Sequence, residues 1–424
     1  MQLGVDSMNF LAVIGQLRTW GVCGAFRAVL RLPRDWAIKR FLLKNARENL
    51  NTRPEIGITV IAPISGAYSL SKTMRDFVIR MRNVGFPHQV FDTNCSDRKV
   101  PRNEYEKLLT PKHEFNLLKF NCVVEMLTSP LPQNLPVRRC RIAFWESEDG
   151  LLDVYPYLCD ADTVIAMSDF NLAYFKRVLP ASVRVSKIIY PLLPVPIGVL
   201  GKLDARVRFG IKPDDFVVFY NFDIRADYRK NPLGTLLAFS AAFKDIDSCK
   251  LVLKINGSAA CPEKMASITG EANNLGISRQ VVVITEYLSQ LDLYSLVNAC
   301  DVYMSLHRGE GFGIGIAEAM QMAKPVVVTA YSAPLEFCND ETSILVPFRL
   351  ITVDDNRLVS KMGPCADPDI PAAATALQRL YHDPGFAGKI GERGRQFVNH
   401  HFSDEAFKAS IEGLVTRGDD NASR

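Results

Sequence analysis

The stretch from Asp301 to Phe348 constrains this chain more than any other, because it spells a strand, a glycine turn, a helix and a second strand in unbroken succession. It reads DVYMSLHRGEGFGIGIAEAMQMAKPVVVTAYSAPLEFCNDETSILVPF. Asp301–Leu306 is a short apolar run with β-branched and aromatic residues, which predicts a strand. It ends at Arg308-Gly309-Glu310-Gly311-Phe312-Gly313, where three glycines in five residues permit positive φ and close approach of a ligand to the backbone. Ile314–Met322, with Ala317, Glu318, Ala319 and Met320, predicts a helix. Pro325 opens the next strand, Val326–Ala330, whose continuous apolarity suits a buried parallel sheet. A glycine turn between strand and helix aims free N–H groups at one point, and the helix dipole adds positive potential there, so the unit forms an anion site. Glu310 precedes the turn and Glu318 lies beyond it, where carboxylates accept hydrogen bonds from hydroxyls rather than bind phosphate. Phosphate beside hydroxyls is the chemistry of a sugar nucleotide. On these residues alone a second reading stands, in which both are surface carboxylates of an ordinary βα unit.

Glu310 and Glu318 bracket seven residues. In this setting SLHRGEGFG (305–313), Glu318-Ala319-Met320 and Lys324-Pro325-Val326 resemble the E-x7-E region of retaining glycosyltransferases of family 4. The resemblance covers 205–415 closely and 55–200 more loosely. It implies a GT-B fold: α/β, with two Rossmann-like doubly wound parallel-sheet domains facing across a cleft. It also implies that Glu310 contacts the donor sugar and Glu318 holds the ribose hydroxyls. The backbone of Gly311, Phe312, Gly313 and Ile314 would meet the transferred sugar and the diphosphate.

At 424 residues the chain exceeds one ordinary domain. The net charge of +4 gives no case for nucleic acid as a partner. Its ten cysteines are scattered, without a C-x-x-C pair or a histidine at metal-ligand spacing, and read as buried thiols of a reducing compartment. No apolar run approaches the ~18 residues of a membrane span, and no basic n-region precedes an apolar core at the N-terminus. The expectation is a cytoplasmic protein.

Residues 1–53 stand apart as a basic amphipathic extension. Arg18, Arg27, Arg31, Arg34, Lys39, Arg40, Lys44 and Arg47 alternate with Leu17, Trp20, Phe26, Trp36, Ile38 and Phe41. One reading is a peripheral contact with the inner face of the plasma membrane; the other is a helical extension packed on the first domain.

Over 54–197, strands are expected at Glu55–Ile64, Gln89–Phe91, Leu117–Asn121, Arg141–Phe144, Thr163–Met167 and Lys187–Tyr190. A helix follows the first strand through Arg82, and a helical stretch lies near Glu104–Leu109. This alternation predicts a doubly wound parallel sheet. The loop after the first strand is where such sheets bind ligands. Resembling enzymes carry a glycine-rich loop there, facing donor and acceptor; this chain keeps only Gly66. Lys72 and Arg75 begin the following helix, facing the donor diphosphate, an anionic acceptor or solvent. The segment Ile142–Glu148 (IAFWESE) resembles a Trp-x-Glu element near the sugar in one branch of the family. That would put Trp145 or Glu146 on the acceptor side, against the alternative of a core tryptophan at a strand end. Asp160-Ala161-Asp162 spells D-x-D, but it precedes a strand, at the wrong end for a ligand, and is read as loop. The resemblance implies no cofactor and no metal.

Leu193–Ile197 is the expected hinge. The second domain, 198–385, opens with a strand at Phe216–Phe222, then DIRADYRKNP (223–232) and a helix with Pro232 in its first turn. Arg225, Arg229 and Lys230 thus lie on the ligand edge, where a diphosphate needs neutralising cations. In the resembling family a basic pair grips the diphosphate; Lys230 matches its lysine, and its arginine is Arg225 or Arg229. Lys254 ends the next strand, Lys250–Ile255, on the donor side, and backbone near Glu286–Leu288 is a candidate for the nucleobase. Further elements are a strand at Val281–Thr285 and helices at Leu288–Ala299, Ala372–Tyr381, Phe386–Asn399 and Asp404–Val415. The C-terminal helices, 386–424, would cross back to the first domain, with a polar tail from Arg417 read as disordered.

The expected activity is transfer of a hexose, with retained configuration, from a nucleotide-diphosphate sugar to a glycan or lipid-linked oligosaccharide in polysaccharide biosynthesis. Bacterial mannosyl- and rhamnosyltransferases of surface polysaccharide synthesis are the resembling proteins, which makes GDP-mannose the first donor to consider, before UDP- and dTDP-sugars. His307 flanks the site as a lone histidine and is read as structural. Two alternatives are a non-catalytic GT-B partner subunit of a glycan-assembly complex and a sugar-nucleotide epimerase.

Overall fold

The computed structural model of the chain describes residues 36–51, 53–93, 99–126, 135–147, 150–151, 155–352 and 361–416. The first 35 residues, which carry most of the basic amphipathic pattern, and the tail from Arg417 lie outside the described residues.

The first half contains helix α1 (36–48) and then β1 (Glu55–Ala62), α2 (Ser69–Asn83), β2 (His88–Asp92), β3 (Phe120–Met126) and β4 (Arg138–Ile142). A two-residue strand β5 (Gly150–Leu151), α3 (Tyr155–Cys159), β6 (Thr163–Ala166), α4 (Asp169–Val178) and β7 (Arg184–Lys187) complete it. Six of these strands form a parallel sheet in the order β2-β1-β3-β4-β6-β7. β1 is buried from Gly57 to Ala62, as expected of a strand covered on both faces.

The second half begins with α5 (Lys202–Arg208), β8 (Phe216–Asp223), α6 (Asp227–Lys230), α7 (Pro232–Phe243), β9 (Cys249–Asn256) and α8 (Pro262–Asn274). It continues through β10 (Val281–Ile284), α9 (Gln290–Ala299), β11 (Val302–Ser305), α10 (Ile314–Gln321), β12 (Val326–Thr329) and β13 (Ile344–Val346). Its six-stranded parallel sheet has the order β10-β9-β8-β11-β12-β13. Strand order reverses between β1 and β3 in the first sheet and between β8 and β11 in the second; ligands of doubly wound sheets bind beyond the carboxyl ends of strands at such points. A hairpin of β14 (Phe348–Ile351) with β16 (Cys365–Pro368) follows, and the short β15 (Lys361–Met362) between them pairs with β5 of the first half.

Helices α11 (Ile370–His382) and α12 (Pro384–His401) stay with the second half, and α13 (Asp404–Thr416) returns to the first. On α13, Phe407 meets Phe77 of α2 edge-on at 5.8 Å, and Ser410 Oγ accepts from Ile189 N at 3.2 Å. Arg80 of α2 donates from Nε to Asp404 Oδ1 at 2.6 Å.

Several elements shift from their sequence-based positions for identifiable reasons. β3 starts at Phe120 rather than Leu117, because Leu117 and Leu118 pack in a side cluster with Leu42 and Ala46 of α1. Leu117 N donates to Asn45 Oδ1 at 2.7 Å, outside any ladder. β4 and β7 start and end earlier than their apolar runs, because Arg138, Arg139 and Arg184 open them. The stretch near Glu104–Leu109 is a pair of 3-10 turns rather than a helix. Over 36–48 the amphipathic extension packs on the first sheet, with Phe41 stacked on Phe91 at 5.4 Å. Among the described residues no helix is long and apolar enough to cross a membrane.

Candidate active site

The loops that leave β8 and β11 meet at the switch point of the second sheet. After β8 the chain passes through α6 to Asn231, whose φ of 52° and ψ of 52° are left-handed. Asparagine tolerates this conformation because its short side chain bonds locally. Here Oδ1 accepts from Gly234 N at 3.1 Å, capping α7, and Nδ2 donates to Leu306 O at 2.9 Å. The corner turns Arg229 and Lys230 toward the glycine loop. Tyr220 donates its hydroxyl to Lys230 O at 2.7 Å, Arg229 Nη1 donates to Gly309 O at 3.0 Å, and Arg308 N donates to Arg229 O at 2.7 Å. The two loops are zipped together by these bonds.

Glu310 lies between the two cations and is only 6% exposed. Lys230 Nζ pairs with its Oε1, and Arg229 Nη1 stands 3.2 Å from Oε2. Ser332 Oγ accepts from Glu310 N at 2.9 Å, which fixes the backbone. Burial alone would raise the Glu310 carboxyl, but Lys230 and Arg229 outweigh it and hold it at about 2. Burial lowers Lys230, against the pull of Glu310. From the first half, Glu146 Oε1 approaches Arg229 Nη2 at 3.4 Å. A Cβ on Gly309 would overlap the Glu146 carbonyl oxygen, so the two halves touch where the loop lacks a side chain.

The loop then reaches Gly313, whose φ of 95° suits glycine alone, and α10 begins without a side-chain cap. Phe312 turns its ring onto Tyr190 of the first half, with centroids 3.7 Å apart, so only its backbone remains with the loop. On α10, Glu318 is 4% exposed. Its Oε1 faces Lys72 Nζ of α2 at 3.0 Å, yet accepts no aligned hydrogen bond.

Of the residues expected at the site, the structure assembles Glu310, Lys230, Arg229, Glu146 and the 311–314 backbone, with Glu318 on the adjoining helix. Arg225 is not among them: its guanidinium folds back on Asp223, with Nε to Oδ1 at 2.8 Å. Lys254 is buried at the end of β9 and donates to Asn256 Oδ1 at 2.7 Å. Gly66 offers its carbonyl to Arg75 Nη1 at 2.6 Å, so Arg75 clamps its own loop. Trp145 is 1% exposed and stacks on Tyr174 at 5.6 Å within the first half; its side chain belongs to the core and leaves the half-buried Glu146 as the member of that pair that reaches the site. In the D-x-D, Asp160 Oδ2 pairs with Arg139 at 3.2 Å and Asp162 Oδ2 accepts from Arg139 N at 2.8 Å. Among the described residues no group of three or more His, Cys, Asp or Glu is arranged to hold a metal.

Three contributors escaped the sequence reading: Asn231, Ser332 and the Lys72–Glu318 contact. The Asn231-Pro232 dipeptide was the available signal for the first, since such pairs mark turns. The others join residues remote in sequence and carry no local pattern.

His307 is fully buried, with Ser305 Oγ 3.2 Å from Nδ1 and Tyr331 O 3.0 Å from Nε2. The carbonyl can only accept, so Nε2 carries the proton. Burial pulls its pKa down to about 4 from 6.5. A depressed histidine contributes stability that is complete above the unfolded value and is lost as pH falls toward the folded one. The loss expected from about pH 6.5 to 4 is roughly 3 kcal/mol. Urea unfolding of wild type and His307→Gln at pH 7 and 4.5 checks this: the variant should lose less stability on acidification, and equal losses would contradict it.

Residues 225–383 match the family model described as "Glycosyl transferases group 1". The chain is 24% identical over 201 residues to EpsD of Bacillus subtilis, covering 47% of this chain and 45% of that protein. It is 24% identical over 272 residues to trehalose synthase of Rubrobacter xylanophilus, covering 62% and 59%. Over 155 residues it is 25% identical to alpha-1,3/1,6-mannosyltransferase ALG2 of Dictyostelium discoideum, covering 37% and 32%. The chain thus spans 45% and 59% of the first two of these relatives. Among solved structures, sucrose-phosphate synthase of Thermosynechococcus elongatus superposes with a TM-score of 0.61 at 17% identity, over 85% of this chain and 98% of that one. HepE of Anabaena, solved with UDP and glucose, gives 0.57 at 14% identity, over 85% and 99%. The architecture of two six-stranded parallel sheets is therefore the GT-B fold.

Proposed function

We propose that this chain is a glycosyltransferase of glycan biosynthesis, of the retaining family 4 kind, that takes a hexose from a nucleotide-diphosphate sugar. The observation that carries the reading is the buried Glu310 flanked by Lys230 and Arg229, on a loop that runs into the N-terminus of α10 at the sheet's switch point. Residues 198–385 serve as the donor domain and 54–197 as the acceptor domain. Lys230 and Arg229 neutralise the departing diphosphate, and the positive charge comes from these side chains without a metal. Backbone N–H groups at 311–314 add to it. Glu310 orients the donor sugar, and Glu318 accepts from the ribose hydroxyls. The acceptor hydroxyl attacks the anomeric carbon on the face the leaving group departs from. The bond from that carbon to the phosphate oxygen breaks, its electron pair stays on the phosphate, and the same phosphate takes the acceptor proton.

GDP-mannose is the first donor to test, in keeping with the similarity to a protein named as a mannosyltransferase; UDP- and dTDP-sugars follow. The acceptor is a glycan or a lipid-linked oligosaccharide, met on the cytoplasmic face of the membrane.

Thermal unfolding against GDP, UDP, dTDP and ADP tests the reading. A nucleotide at about 100 times its Kd adds about 2.7 kcal/mol. One nucleotide should stand out, and its shift should vanish in Glu318→Gln. No shift with any of the four overturns the proposal.

A further inference from the structure

Lys72 lies in the first turns of α2, in the half opposite the donor machinery. Its ammonium pairs with Asp76 one turn on and with Glu318 Oε1 across the domain boundary at 3.0 Å. The side chains of Asp76 and Glu318 are 4% and 6% exposed, so two carboxylates and one ammonium share a buried space. The hydroxyls of Tyr190 and Tyr294 also face this cluster. An ammonium within ion-pair distance restricts the rotamers of a buried carboxylate. Glu318 is thereby seated between the Lys72 ammonium and the hydroxyl of Tyr294. Asp76, on the same helix as Lys72, holds the ammonium from behind. Neither half alone contains this arrangement.

We infer that Lys72 is a positioning residue for the transfer step: from the first domain it sets the Glu318 carboxylate, so that the donor ribose is held in its reactive placement only when the two domains are closed. This rests on the reading of Glu318 as the ribose carboxylate. Lys72 itself binds no part of the donor. It links closure of the domains to the geometry of a group on the other side, and a misplacement of about 1 Å costs roughly 10²-fold in rate.

The experiment compares Lys72→Met, Lys72→Arg and Glu318→Gln in the full chain, by nucleotide Kd from calorimetry and by kcat and KM with the donor that the nucleotide panel selects. Lys72→Met is expected to lower kcat roughly tenfold or more while nucleotide Kd stays within about threefold, and Lys72→Arg should recover much of kcat. The double variant Lys72→Met with Glu318→Gln should fall short of the product of the single effects. Unchanged kcat in Lys72→Met overturns the inference. So does a loss of nucleotide affinity as large as that of Glu318→Gln, which would make Lys72 a donor ligand. If Glu318→Gln itself leaves nucleotide Kd unchanged, the ribose assignment fails first, separately from the role of Lys72. Should Lys72→Met unfold, Lys72→Gln, which keeps a polar end but no charge, takes its place with the same expected and overturning outcomes.

Discussion

Replacing Glu310 with glutamine is expected to lower kcat by about 10²- to 10³-fold, the scale on which single preorganised electrostatic contacts act in transition states. Glutamine keeps the shape and can still accept from Lys230. What disappears is the negative charge between Lys230 and Arg229. The two cations then face each other with only Glu146 near Arg229, and the donor sugar loses its orienting carboxylate. Stability should register the same change through its dependence on acid. Glu310 is held at about 2, so its ion pairs contribute fully above the ordinary glutamate value and are lost as pH falls toward 2. In Glu310→Gln that part of the acid transition should be missing. A variant that turns over at the wild-type rate would remove Glu310 from the chemistry.

Gly309→Ala should be almost as damaging to turnover, for a mechanical reason. No positive φ is required at Gly309, so alanine suits its backbone. The obstacle is the Glu146 carbonyl oxygen of the other half, which a Cβ would overlap. A backbone oxygen cannot swing aside as a side-chain tip does, so the two halves must part by the width of the added methyl. Reacting groups held by opposite halves then lose alignment, and kcat should fall by about 10²-fold. Nucleotide affinity should change little, because Glu310, Lys230, Arg229 and Glu318 all belong to the second half. Steady-state kinetics beside calorimetric nucleotide binding distinguishes this from general destabilisation, which would reduce both together. A wild-type kcat would mean that the halves need not approach this closely.

The loop at 309–313 was legible in the sequence because its requirements are local. Glycines, the carboxylate at position 310 and the helix that follows are fixed by spacing along one segment. The alternation of strands and helices likewise foretold two parallel sheets. What the sequence could not decide depends on how far a side chain bends back. Arg225 and Arg229 occupy the same loop, and only the left-handed turn at Asn231 sends one to Glu310 while Asp223 retains the other. Trp145 at a strand end looks alike whether it faces a ligand or a core, and Tyr174, far along the chain, draws it inward. Leu117-Leu118 looked like a strand because their partner, α1, had no visible relation to them.

The return of α13 has a consequence for the order in which this protein takes shape. Arg80 is buried on α2, and its guanidinium donates to Leu192 O, Phe402 O and Asp404 Oδ1. Two of those three partners are synthesised only after the entire second sheet. As the chain emerges from the ribosome, the first sheet has all its strands by Lys187, yet Arg80 and Phe77 wait for residues 402–407. The half that is made first is therefore the half that is finished last.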